Sequence, residues 1–118
     1  MRIAIDLDDT IRDTSTNKPT KDAKKVIDSY HDKGIEILVF TANGDDKRFE
    51  IIDWLNENEI YFDNLQCGKP LYDLFIDDKA VRYTGWDKDY LSLVSKKIDK
   101  SKILDDLSVI KRVSKLNN

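Results

Sequence analysis

From Arg2 to Leu7 the chain alternates, with Ile3, Ile5 and Leu7 on one side and Arg2, Ala4 and Asp6 on the other. That period of two predicts a strand, and it ends on the acidic cluster Asp6, Asp8 and Asp9. Ile11 to Thr20 carries no period and reads as a loop closing on Pro19, with Thr20 as the N-cap of a helix. Ala23, Val26, Ile27 and Tyr30 then fall at i, i+3, i+4 and i+7, one face of that helix, which Gly34 terminates. Ile35–Phe40 is a nearly unbroken apolar run, too short for a helix and suited to a strand buried on both faces, and it ends at Thr41. After an Asn43–Gly44 turn, Asp45 is placed to cap a second helix reaching about Glu57, with Phe49, Ile51, Ile52 and Leu55 inward.

Beyond that helix the signal shortens. A weak strand is expected near Ile60–Phe62 or Leu65–Cys67, Gly68-Lys69-Pro70 breaks the chain, and Leu74–Ile76 is read as a short strand ending on Asp77 and Asp78. Ala80–Tyr83 is read as an edge strand. Asp87 is placed to cap a helix carrying Tyr90, Leu91, Val94 and Ile98 on one face, and Ile103, Leu107, Ile110 and Val113 predict an additional C-terminal helix at about 101–116. Strands alternating with helices predict an α/β fold, a parallel sheet with helices on both faces. No internal repeat interrupts the pattern, and 118 residues suit one domain spanning 1–118.

Composition narrows the functional classes. Hydrophobic residues at 40% and charged residues at 36% with mixed signs fit a globular chain, and no stretch reaches membrane-spanning length. A strand beginning at Arg2 leaves no room for a signal peptide, so cytoplasmic residence is expected. The net charge of −3 supplies no basic field for nucleic acid. Cys67 is the single cysteine, which excludes an intrachain disulfide and a thiol zinc site. A cysteine phosphatase would need an arginine six positions on, and that position is Asp73. His31, the only histidine, sits on the polar side of the first helix, so a histidine-based triad has no support.

In open parallel sheets ligands bind beyond the carboxyl ends of the strands. With the first strand central, between the Ile35–Phe40 and Leu74–Ile76 strands, Asp6, Asp8, Thr41, Asp77 and Asp78 would converge there, with Lys69 nearby. The ordered set Asp6-Leu7-Asp8-Asp9-Thr10, Thr41, Lys69 and Asp77-Asp78, from residue 2 to about residue 83, resembles the haloacid dehalogenase superfamily of phosphohydrolases. The resemblance implies a three-layer Rossmann-like sheet and a Mg2+-dependent phosphomonoester hydrolase. It makes Asp6 the nucleophile and a metal ligand, and gives Asp8 a metal-binding carbonyl and a side chain that moves the proton. Thr41 and Lys69 would hold the phosphoryl group, Asp78 would bind Mg2+, and Asp77 would support it. Asp9 is expected either to back the site residues or to be structural, and Thr10 to fix the loop.

Asn43, in the turn after Thr41, and Arg12, in the loop facing the leaving group, complete the substrate-binding candidates. About 34 residues separate Asp6 from Thr41, which leaves no room for an inserted cap domain. A capless site is open, so it takes a bulky phosphoester or borrows walls from a second subunit, which makes a homo-oligomer the expectation to weigh. The segment from Cys67 to Arg82 resembles a short capless subfamily associated with bacterial capsule and surface-polysaccharide biosynthesis, which implies a sugar or polyol phosphate as substrate. Two alternatives stand beside it: a polynucleotide end phosphatase, and a non-catalytic interaction module built on the amphipathic tail Ile103–Leu116. Tyr83 and Trp86 are read as packing residues before substrate-stacking ones.

Overall fold

The computed structural model describes residues 1–101, so the helix expected at about 101–116 lies outside the described residues. Met1–Trp86 forms one compact unit and the chain from Asp87 begins a second. In the first unit, strands β1 (Arg2–Asp6), β4 (Glu36–Phe40) and β5 (Asn64–Gln66) form a parallel sheet in the order β1-β4-β5. Helix α1 (Ala23–Asp32) links β1 to β4, and α2 (Arg48–Glu57), preceded by a 3-10 turn at Asp45–Lys47, links β4 to β5. Asp6 lies opposite Phe40 and Phe40 opposite Gln66, so the carboxyl ends of the three strands are level. No helix among the described residues is long and apolar enough to cross a membrane.

One face of the sheet is closed. Ile5, Ile37, Val39 and Leu65 are buried there with Leu7, and Ala23, Val26, Ile27 and Tyr30 of α1 are buried at the predicted spacing. Each fully buried Leu or Ile contributes about 1.5–3 kcal/mol of transfer free energy, an upper estimate. The other face differs from expectation, since Leu38 and Phe40 are half-buried and Ala4 is exposed. In α2 the inward set is Ile51, Trp54 and Leu55, while Phe49 is 80% exposed and Ile52 half-buried. Ile51, Trp54 and Leu55 keep the i, i+3, i+4 spacing that Phe49 breaks.

Both helices end in the same hydrogen-bond pattern. The amide of Gly34 (φ 79°) donates to His31 O and that of Ile35 to Tyr30 O, at 2.9 and 3.1 Å. Glu59 and Ile60 repeat this on Asn56 O and Leu55 O, but Glu59 holds φ 55° with a side chain. These are Schellman closures, and the first turns the chain directly into β4. At its other end α1 departs from prediction: Asp22 at φ 66° precedes it without a side-chain cap, and Thr20 Oγ1 donates instead to Thr10 O at 2.6 Å. The expected loop after Ile11 holds a small antiparallel hairpin, β2 (Arg12–Asp13) with β3 (Lys18–Pro19).

The third strand falls on the later of the two expected positions, one residue early at Asn64–Gln66, and Asp63 just before it also pairs with β4. Its amide donates to Ile37 O at 2.9 Å and its carboxylate accepts from Ile37 N at 2.7 Å. The hydroxyl of Tyr61 and that same Ile37 amide hold the Asp63 carboxyl below its ordinary range. Two further expectations fail. Leu74–Ile76 and Ala80–Tyr83 form no strand, and β1 is an edge strand of the sheet, not its centre. Leu74 and Ile76 are 76% and 87% exposed. A three-residue apolar run offers few ladder bonds, and strand propensity is realised only against a partner. In the second unit a helix spans residues 88–101, capped by Asp87, whose Oδ1 accepts from Tyr90 N at 2.9 Å. Tyr90 and Ile98 are buried and Leu91 and Val94 half-buried, the predicted stripe.

Candidate functional site

The site forms where β1 and β4 end. Leu7 N donates to Phe40 O and carries the ladder one step past Asp6. The chain then folds tightly: the amides of Thr10, Ile11 and Arg12 all converge on Leu7 O, at 3.3, 2.9 and 2.9 Å. Asp9 makes the turn possible by taking φ 60°, a conformation acidic residues tolerate better than most. Its carboxylate accepts from Thr14 N and Thr14 Oγ1, at 3.1 and 2.7 Å, which fits the structural one of the two roles expected of it. Thr10 fixes the loop through its carbonyl, which accepts from Thr20 Oγ1 and from Trp86 Nε1 at 3.2 Å. Trp86 is buried, so it packs and ties the loop and does not face solvent.

Asp8 is held from two sides. Arg12 Nε and Nη2 both donate to Asp8 Oδ1, at 3.0 and 2.7 Å, and Asn43 Nδ2 donates to Oδ2 at 3.1 Å. Asn43 also donates twice to Thr41 Oγ1, from its amide at 3.1 Å and from Nδ2 at 2.9 Å. Thr41 is 1% exposed, and no other buried residue among those described is polar outside the tyrosines and tryptophans. Lys69 is delivered by backbone pairing: Thr41 N donates to Gln66 O, Gly68 N to Asn43 O and Lys69 N to Thr41 O, at 3.0, 2.7 and 2.9 Å. Gly68 takes φ 79° in this crossing, where a side chain would be strained. Lys69 Nζ then reaches Asp6 Oδ1 at 3.3 Å, across most of the unit's sequence.

Electrostatics follow from this crowding. Burial raises the Asp6 carboxyl above its ordinary value, with a smaller push from the Asp8 charge, and the Lys69 ammonium pulls against both. Burial alone lowers Lys69, yet the Tyr72 hydroxyl and the Asp6 carboxylate outweigh it and leave the ammonium more firmly protonated than usual. Lys69 Nζ also lies 5.6 Å from the centre of the Phe40 ring and 5.2 Å from that of Tyr72, contacts that favour the cation.

The structure thus brings together Asp6, Asp8, Arg12, Thr41, Asn43 and Lys69. It does not bring Asp77 and Asp78 to them: both lie in an exposed segment, and Asp77 Oδ1 accepts from Lys79 N at 2.6 Å. No cluster of three acidic, histidine or cysteine side chains able to hold a metal occurs among the described residues. The donors that Asp6 and Asp8 offer are all oxygen, the kind Mg2+ prefers, so they fit this ion in type. Cys67 is free and half-buried, not buried as a small core residue would be. His31 is exposed and stacks on Tyr61 with ring centres 3.6 Å apart. Sequence reasoning missed Trp54, whose ring faces the Arg12 guanidinium at 5.4 Å, and Tyr72 beside Lys69. The helical spacing of Trp54 with Ile51 was the available signal for the first.

No family model and no curated protein matches the chain. A crystal structure of a structural-genomics target from Vibrio cholerae is similar, with a TM-score of 0.59 and 23% identity over 85% of this chain and 98% of that one. The likeness is one of fold.

Proposed function

We propose that this chain is a capless Mg2+-dependent phosphomonoester hydrolase of the haloacid dehalogenase type, with the three-layer Rossmann-like arrangement of that family, acting on a sugar or polyol phosphate. The observation that carries the reading is the Lys69–Asp6 ion pair beside the Thr41–Asn43–Asp8 chain of hydrogen bonds, three separate segments meeting at one strand edge. A phosphate monoester repels an incoming anion, so a site that cleaves it must offset charge and align the reacting groups. Lys69 brings the positive charge and Thr41 a hydroxyl to donate to a phosphate oxygen.

In this reading an Asp6 oxygen attacks phosphorus as the bond to the leaving oxygen breaks, and Asp8 gives that oxygen its proton. Water then attacks the aspartyl-phosphate, Asp8 takes the proton back, and inorganic phosphate leaves with the Asp6 carboxylate restored. Mg2+ would be held by Asp6, by the main-chain carbonyl of Asp8 and by Asp78, with Asp77 in support, and would neutralise phosphate charge. Asp78 can serve only if the exposed segment around residues 71–78 comes to the strand ends.

The test is phosphate release from a panel of sugar phosphates, p-nitrophenyl phosphate and a 3′-phosphorylated oligonucleotide, with Mg2+ and after chelation. Turnover of the small esters that needs both Mg2+ and Asp6 is expected. Release from the oligonucleotide alone would transfer the assignment to a polynucleotide end phosphatase, and no turnover of any ester would remove the enzymatic reading.

A further inference from the structure

The geometry points to Arg12 as a positioning residue that aims the Asp8 carboxyl at the leaving-group oxygen, not as a ligand of the substrate phosphate. This rests on the phosphohydrolase reading of the same site and replaces the substrate-binding role expected of Arg12 from the sequence. Both Nε and Nη2 are spent on one oxygen, Asp8 Oδ1, and the side chain is mostly buried at 16% exposure. A guanidinium delivering two N–H groups to one acceptor fixes direction as well as distance, which a lysine cannot do.

The guanidinium is itself fixed. The Trp54 ring lies against it, and Trp54 Nε1 donates to Asn17 O at 2.9 Å, binding the β2–β3 hairpin to helix α2. Arg12 starts β2, and its main chain is tied on both sides: its amide donates to Leu7 O and its carbonyl accepts from Asp9 N at 2.6 Å. Asn43 grips the other Asp8 oxygen from the β4 side. The carboxyl is therefore oriented by two residues on different elements, each anchored independently of substrate. A group so clamped can deliver a proton along one direction only.

A leaving-group comparison reads this directly. An alkyl phosphate such as glycerol phosphate needs its leaving oxygen protonated, whereas p-nitrophenolate leaves without a proton. In Arg12→Ala, kcat/KM, which reports the transfer to Asp6 and not the later water step that both esters share, is expected to fall about 10²-fold for glycerol phosphate while that for p-nitrophenyl phosphate stays within about threefold of the parent. Arg12→Lys should recover little of the loss. In an Asp8→Ala background, Arg12→Ala should cost nothing further, because the group it positions is gone. Equal losses on both esters with a raised KM would show Arg12 binding the phosphate and overturn the inference, as would full recovery by lysine or an added loss in the Asp8→Ala background. Circular dichroism checks folding, and Arg12→Gln serves in place of Arg12→Ala if that variant fails to fold. Absence of any Asp6-dependent turnover in the parent protein instead removes the phosphohydrolase reading, and the inference with it.

Discussion

Two acidic pairs at the ends of apolar runs meet opposite fates in this molecule. Asp6 and Asp8 lie at the end of a strand that has a partner, and Lys69, Arg12 and Asn43 hold their carboxylates by hydrogen bonds and ion pairs. Asp77 and Asp78 follow Leu74–Ile76, which has no strand partner, and they sit in an exposed segment. The local pattern of the two stretches is alike, apolar residues running into carboxylates. What separates them is the ladder beside the first, which converts a pattern into a position.

Activity is where the two regions should differ most. Asp6→Asn should reduce phosphate release to background, a loss on the order of 10³-fold or more, because the attacking carboxylate becomes a neutral, poorly nucleophilic amide while the fold remains. Lys69→Ala should follow with roughly 10²–10³-fold, measured as kcat with saturating Mg2+. Equal activity of the Asp6→Asn variant and the parent would sink the catalytic reading of this strand edge.

Stability separates the two regions next. Ile37→Ala, in the core of β4, is expected to cost about 2–5 kcal/mol in urea unfolding, whereas Ile76→Ala should stay within about 0.5 kcal/mol. A comparable loss at Ile76 would mean that the segment is buried in solution. Asp78→Asn sharpens the same point. If the segment reaches the site when Mg2+ is present, the Mg2+ concentration for half-maximal activity should rise by about tenfold or more, and an unchanged requirement would remove Asp78 from the metal set.

The smallest effect is a pH dependence of stability without metal. The Asp6 carboxyl titrates above its ordinary value in the fold, so the protonated form is the one folding favours. Its contribution is fully present below the ordinary carboxyl value and is lost as pH rises through the raised one. Asp6→Asn should therefore melt slightly higher than the parent at neutral pH, by less than about 1 kcal/mol given solvent screening. The two should converge below about pH 4. A parent that is the more stable at neutral pH would reverse the sign assigned to burial.

Much of this was legible from residue order. The β1 alternation, the α1 stripe of Ala23, Val26, Ile27 and Tyr30, and the Asp87 cap all appear where spacing put them. These signals are local and strongly periodic. Asp6, Asp8, Thr41 and Lys69 were legible as a group because strand ends in a parallel sheet share one rim. The rest depended on partners that spacing does not encode. Asp63 adds a side-chain bond to β4, Trp54 and not Phe49 lies in the core, and the Arg12 guanidinium meets Asp8 with the Trp54 ring beside it. The sheet order escaped for the same reason, since a short run such as Leu74–Ile76 carries propensity but no address.

The hydroxyl of Thr41 has a consequence for what can be captured here. A threonine oxygen has two lone pairs and one hydrogen, and Asn43 sends two N–H groups to that oxygen. The hydroxyl is left with its single hydrogen to offer, and no free lone pair to receive one. Any visitor must therefore arrive as an acceptor, which admits oxyanions such as vanadate or tungstate and turns away groups that can only donate, such as an ammonium. Serine at this position would keep that one-way polarity, whereas valine would erase it while leaving the shape of the strand end intact.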